Sequence, residues 1–223
     1  MSRLSSVLLG GVMMMTALIA GPALADDPGF KTKHAGDILI RLRAVGVLPS
    51  DGDTIKFANG NDTGLRTRVD NNYIPELDAS YFITDNIAVE AIAGWTKHSV
   101  KASNGTTNVA NAGDVYLLPP TITAQWHFFH DQRVSPYVGA GINYTILFGE
   151  SGGDVGVRPV KFGNSFGPAL QAGVDFALTG NWSLNFDVKK IWISTDYTLA
   201  GGALKGTADL NPWLVGFGVG YRF

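Results

Sequence analysis

Apolar and polar residues alternate with period two along eight separate stretches of this chain. Roughly Asp37 to Leu48 sets Ile38, Ile40, Leu42 and Ala44 on one face and Arg41 and Arg43 on the other. Asn72 to Ile83 opposes Tyr73, Leu77 and Tyr81 to Glu76 and Asp78, and Ile87 to Lys97 opposes Val89, Ala91 and Trp95 to Glu90 and Thr96. Val115 to Phe128 sets Ile122, Ala124 and Trp126 against Thr123 and Gln125, while Ser135 to Phe148 sets Val138, Ile142 and Tyr144 against Gly139, Gly141 and Asn143. Ser165 to Leu178, Trp182 to Thr195 and Asn211 to Phe223 repeat the pattern, with Gln171, Asp175, Asn185, Asp187 and Lys189 on their polar faces and Gly216, Gly218 and Gly220 opposite Val215, Phe217 and Val219. Side chains of a strand alternate between its two faces, so segments of this length predict eight long strands.

The connections alternate as well. Three are tight, around Thr84-Asp85-Asn86, His130 to Arg133 and Thr179-Gly180-Asn181. Four are long and rich in Gly, Asn, Asp and Ser, roughly Pro49–Asn71, Lys101–Asp114, Gly149–Asn164 and Asp196–Leu210. All tight turns and both termini then fall at one end of the sheet. That is the plan of an all-β, eight-stranded antiparallel transmembrane barrel with short periplasmic turns and four longer extracellular loops.

The start of the chain reads separately. Arg3, the apolar run Val7 to Ala20 and Ala23-Leu24-Ala25 before Asp26 have the layout of a cleaved secretory signal peptide over residues 1–25, leaving 26–223 as the barrel domain. The run is short of the ~20 residues that a membrane-spanning helix needs. Cys is absent, which removes disulfide scaffolds and thiolate metal sites. The formal net charge of −2 argues against a nucleic-acid-binding face.

Of the chain, 45% is hydrophobic and only 16% charged, yet no later stretch is continuous enough for a spanning helix. Closed sheets are the other way to cross a bilayer, because every backbone group is then bonded internally. Tyr73, Tyr81, Trp95, Trp126, Phe128, Trp182, Trp213 and Tyr221 stand near strand ends on the apolar face, as interfacial girdles do. The competing arrangement is a secreted sandwich or lipocalin-like barrel with its apolar face inward. It would leave soluble strands about twice the usual ~5–6 residues.

Several stretches carry a resemblance in this order: Leu118 to Phe128, Pro136 to Thr145, Asp187 to Ile193, and Asn211-Pro212-Trp213 to the closing Gly220-Tyr221-Arg222-Phe223. Together they resemble the OmpW family of small outer-membrane proteins over nearly all of the mature chain. The resemblance implies an eight-stranded barrel in the Gram-negative outer membrane, acting as a channel or receptor for small, mainly hydrophobic molecules. Tyr221 and the terminal Phe223 resemble the signal that such barrels present to the barrel-assembly machinery.

Strand direction sets the height of each inward residue. Arg41, Arg43, Glu76, Asp78 and Glu90 fall in the periplasmic half and near mid-height, with Gln125, Gln171, Asp175, Asp187 and Lys189. Both signs are present, so these residues can form a satisfied polar plug, whereas an isolated buried charge would be costly. Towards the outside the inward set becomes apolar: Val45, Val47, Ile74 and Ile92, then Leu117 and Leu147, then Ile191, Ile193 and Leu214. Eight strands leave room only for side chains or one small ligand. An oily solute entering from outside would therefore leave sideways into the lipid. Pro119-Pro120, helped by Pro75 and Pro168, remove ladder donors where a lateral gate could form, unless they are curvature-setting bulges.

The expected function is passive uptake of small hydrophobic molecules, by a monomer surrounded by outer-membrane lipid. The alternative is a structural barrel or a phage or colicin receptor without transport. No enzyme, cofactor or metal is expected: the apolar faces offer no Ser or Asp with a His, and His98-Ser99 belongs to no nucleophile and base set. Asp51-Gly52-Asp53 and Asn59-Gly60-Asn61-Asp62 could hold Ca²⁺ but read better as turns.

Overall fold

The computed structural model describes residues 29–49, 54–57, 59–104, 108–151, 161–199 and 204–223. The expected signal peptide and Asp51 to Asp53 lie outside the described residues. In chain order the strands are β1 (Ile38–Leu48), β2 (Thr54–Phe57), β3 (Asp62–Val69), β4 (Asn72–Phe82) and β5 (Ile87–Gly94). There follow β6 (Thr96–Ser103), β7 (Asn108–Leu118), β8 (Thr121–His127), β9 (Val134–Ser151) and β10 (Lys161–Phe162). The last five are β11 (Ser165–Ala177), β12 (Trp182–Ile191), β13 (Ser194–Leu199), β14 (Leu204–Asp209) and β15 (Trp213–Arg222).

Eight of them close a barrel in the order β1, β4, β5, β8, β9, β11, β12, β15 and back to β1, every pair antiparallel. Closure is continuous where the chain ends meet: Phe223 N donates to Ile38 O (2.8 Å), and Leu39 pairs with Arg222. The burial pattern of β1, alternately exposed and buried, follows the sequence period. Tyr73, Trp95, Trp126, Trp182 and Trp213 are exposed on the outer wall, as a lipid-facing girdle requires. The tight turns are built by local chemistry. Thr84 Oγ1 accepts from Asn86 N and Ile87 N, and Gly180 takes a left-handed φ of 60°.

Above this barrel the structure departs from the expected loops. Most of the described residues there are strands, running β10-β13-β14-β2-β3-β6-β7-β9. They continue the barrel's cyclic order, but among the described residues no ladder joins the upper part of β9 to β10. The physical reason for the missed strands is that both faces of this extension are rich in polar residues. Several inward positions are themselves polar, with Thr96, His98, Ser103 and Thr195 buried, so the apolar–polar alternation fades although the backbone ladder persists. Asn59 and Asp62 close Asx turns there, accepting from Asn61 N (3.0 Å) and Gly64 N (2.7 Å).

Candidate functional site, a sealed lumen with an interrupted wall

All ten residues expected in the polar plug are buried. Their eight charged members form one connected network. Arg41 Nε donates to Asp78 (2.7 Å) and its Nη2 to Glu90 (2.7 Å) and Ser80 (2.7 Å). Arg43 Nη2 lies 2.6 Å from Asp78, 2.9 Å from Glu76 and 3.0 Å from Glu90. Lys189 Nζ donates to Glu76 (2.8 Å) and stands 3.3 Å from Asp187, whose other oxygen accepts from the Tyr137 hydroxyl (2.7 Å). The glycines of β15 make the arginines possible. A Cβ on Gly218 would come within 2.8 Å of Arg43 Cγ, and one on Gly220 within 3.0 Å of Arg41 Cγ. Gln171 sits at the network's edge, its Cγ 2.9 Å from where a Cβ on Gly139 would stand.

One member of this plug escapes the sequence pattern. Lys33 precedes β1, yet its ammonium enters the lumen and donates to Asp175 (2.8 Å), Ser135 (2.9 Å) and His127 Nδ1 (2.9 Å). His127 in turn donates through Nε2 to Gln125 (3.0 Å), which ties Gln125 to the network. The available hint was charge. The expected plug held five carboxylates against Arg41, Arg43 and Lys189, and a buried acid needs a partner. Periodicity could not find Lys33, because it lies on no strand.

The nine expected apolar lumen residues are also buried. Val45, Val47, Ile74, Ile191, Ile193 and Leu214 form one cluster with Ala169. Leu117 and Leu147 form a second with Val115, flanked by Phe162. Leu210 packs against both clusters and joins them across the lumen, although it lies in an expected loop. Its position follows from the break between β14 and β15. There Asn211 adopts φ 28°, and its side-chain oxygen accepts from Ile193 N (2.9 Å). Ile92 is buried but belongs to neither cluster.

The wall is interrupted around Gly94 and Trp95. On one side, the β4–β5 ladder ends at Glu76↔Gly94 and the β3–β6 ladder resumes at Val69↔Val100. Between them side chains bridge the strands: Asn72 Nδ2 donates to Lys97 O (2.7 Å) and Thr96 Oγ1 (3.1 Å), and His98 Nδ1 donates to Asp70 O (2.9 Å). Burial lowers the pKa of His98 below the ordinary imidazole value, against the opposing pull of the Asp70 carbonyl.

On the other side, pairing stops at Ile92↔Thr121 and resumes at Thr96↔Leu117, so Pro119-Pro120 face residues 93–95 without a ladder pair among the described residues. Towards β9 the same prolines leave the wall intact, since Leu118 pairs with Ile146 and Tyr144 N donates to Pro120 O (3.0 Å). Pro75 borders this window too, its carbonyl 3.6 Å from where a Cβ on Gly94 would stand. Pro168 does not open the wall. It pairs with Ile142, and its carbonyl accepts from Trp192 N (3.1 Å).

A closed antiparallel barrel with aromatic residues outside and an ionic network inside defines a transmembrane barrel of the outer-membrane type. The model of the OmpW family matches residues 34–223, and the chain belongs to that family. The chain is 42% identical over 187 residues to the uncharacterized outer-membrane protein y4mB of Sinorhizobium fredii, covering 82% of this chain and 79% of that one. It is 34% identical over 221 residues to outer membrane protein W of Salmonella typhimurium, covering 95% and 96%. The crystal structure of outer membrane protein OprG from Pseudomonas aeruginosa superposes with a TM-score of 0.78 at 28% identity, over 86% of this chain and 98% of that one. The protein resides in the outer membrane of Gram-negative cells, embedded in its lipid.

Proposed function

We propose that the protein is a passive channel for small hydrophobic molecules, which enter the apolar upper lumen from outside and leave sideways into the bilayer. The observation that carries this reading is the change of lumen character with height. Joined apolar clusters stand above a floor of paired charges. A purely structural barrel has no use for a buried apolar upper lumen. The ionic floor makes straight passage of an oily solute costly, because its charges would lose partners to a solute that offers none. The window at Gly94 and Trp95, bordered by Pro75 and Pro119-Pro120, supplies the exit, and Ile74 reaches from the lumen to its edge. Residues Val45, Val47, Ile74, Ile92, Leu117, Leu147, Ile191, Ile193 and Leu214 line the path in this reading, and the barrel works as a monomer. Tyr221 and Phe223, with ring centroids 4.8 Å apart on the final strand, serve as its assembly signal.

The test is uptake of a small apolar solute into liposomes carrying the protein, beside a variant with Val45, Ile74 and Ile191 changed to Asp. Faster uptake than in empty liposomes, lost in a variant that still folds by circular dichroism, is the expected result. No uptake with either protein overturns the reading in favour of a structural barrel or a phage or colicin receptor.

A further inference from the structure

Residues 29–37 cross the periplasmic mouth before entering β1 and touch each tight turn in succession. Lys31 N donates to Gly180 O (3.1 Å), Lys33 N to His130 O (3.0 Å) and Ala35 N to Asp85 Oδ1 (2.8 Å). Between this strap and the strand ends lies a cleft of about 30 Å³. That is room for two or three waters or a small ionic group.

The cleft's chemistry is one-sided. Lys31, Lys33, Arg133 and Arg222 line it, and Asp175 is the one carboxylate among the lining residues. Asp175 is already committed to Lys33. Arg222 Nε stands 3.3 Å from Asp37 at the rim, which leaves the rest of its guanidinium for another acceptor. The second observation is independent of charge. Ser183 lines the same cleft, is 9% exposed, and its hydroxyl has no hydrogen-bond partner. Asn181 Oδ1 beside it is also unpartnered, and the amide can turn its N–H₂ to the cleft instead. Buried polar groups are nearly always paired, so an idle hydroxyl amid an excess of cations marks the place of an acceptor. Guanidinium and ammonium groups with a hydroxyl donor suit the several oxygens of a phosphate.

We propose that this cleft is a periplasmic oxyanion site of the phosphate class, in which Arg222 and Lys31 supply the charge and the Ser183 hydroxyl donates a hydrogen bond. Free phosphate can reach it from the periplasm. The phosphate of an inner-leaflet lipid can reach it past Trp182, which is exposed on the outer wall and lines the cleft. The site is independent of the transport reading.

The experiment is a titration of the full mature chain in maltoside micelles with inorganic phosphate at constant ionic strength, read by NMR shifts of the Ser183 amide and the Arg222 guanidinium. Saturable shifts are expected, with affinity falling roughly tenfold on Lys31→Glu or Ser183→Ala, the scale of one charge-assisted hydrogen bond. Ser183→Ala removes only an unpartnered group, so it leaves the fold in place. Nanodiscs containing phosphatidylglycerol separate the sources. The same shifts without added phosphate, sensitive to Ser183→Ala, identify the lipid headgroup; shifts that need inorganic phosphate identify the free ion. Equal shifts with chloride, or no saturation in either setting, overturn the proposal.

Discussion

The two halves of this barrel share one strand order but solve different problems. In the periplasmic half the ladder closes without a break, and the lumen is filled by charges that satisfy one another. In the extracellular half the strands re-pair after interruptions near residues 70–71, 95, 119–120, 192–193 and 210–212, and the lumen is lined by apolar clusters beside uncharged polar residues such as Thr96 and Thr195. Of the wall strands, β9 runs through both halves unbroken. The lesson is that unbroken closure and interruption of the wall are separated by height. The lower half holds the barrel together and seals it, while the upper half is free to be interrupted because its stability does not rest on an ionic core.

That contrast can be broken most forcefully from below. Arg43→Leu leaves the buried Glu76, Asp78 and Glu90 short of a cation. Unfolding in urea should show a loss of about 3–5 kcal/mol, the cost of removing one partner of a buried ion pair. Val45→Ala in the upper cluster should cost clearly less in the same measurement. If the two losses were equal, the lower half would not be the stabilising one.

The window offers a sharper contrast. Changing Pro119 and Pro120 together to Ala restores two successive backbone donors, of which the one at 119 can face residues 93–95 while that at 120 faces β9, and solute uptake should fall several-fold as the ladder closes. Pro168→Ala should leave uptake unchanged, because the wall is already paired on both sides there. Equal effects at the two places would remove the window from the path.

A smaller effect is expected at Leu210, which joins the two apolar clusters. Leu210→Ala should cost about 1–2 kcal/mol, below the range for a fully buried leucine, since this side chain is only half-buried. Uptake should rise as the lumen opens.

The smallest effect concerns pH at the side-chain bridge of Asn72, Thr96 and His98. The pKa of His98 is lowered in the folded protein, so the unfolded state binds the proton more readily. Its contribution is therefore present above the ordinary imidazole value and lost as pH falls through about 6.5. Hydrogen-exchange protection factors over residues 95–99, corrected for the intrinsic pH dependence, should fall modestly in mild acid, and His98→Gln should remove that dependence.

Much of this was legible in the chain itself. The plug residues Arg41, Arg43, Glu76, Asp78, Glu90, Asp175, Asp187 and Lys189 announced themselves as charges recurring at the inward parity of apolar strands. The apolar upper set followed from the same parity once strand direction was known. Three features were not legible. The extracellular extension is paired, but polar residues such as Thr96, His98, Ser103 and Thr195 take inward positions, so alternation does not reveal it. Lys33 enters the plug from a segment with no period at all.

The prolines were equally ambiguous. Pro119-Pro120 and Pro168 look alike along the chain, and only their neighbours distinguish them. Strand parity is a local property, fixed by the backbone's two-residue repeat, so the sequence by itself determined the barrel, its inside and its outside. Which strand lies across from a missing donor, and which charge fills a lumen from its open end, depends on residues far apart in the chain. Those matters were decided only when the sheet closed on itself.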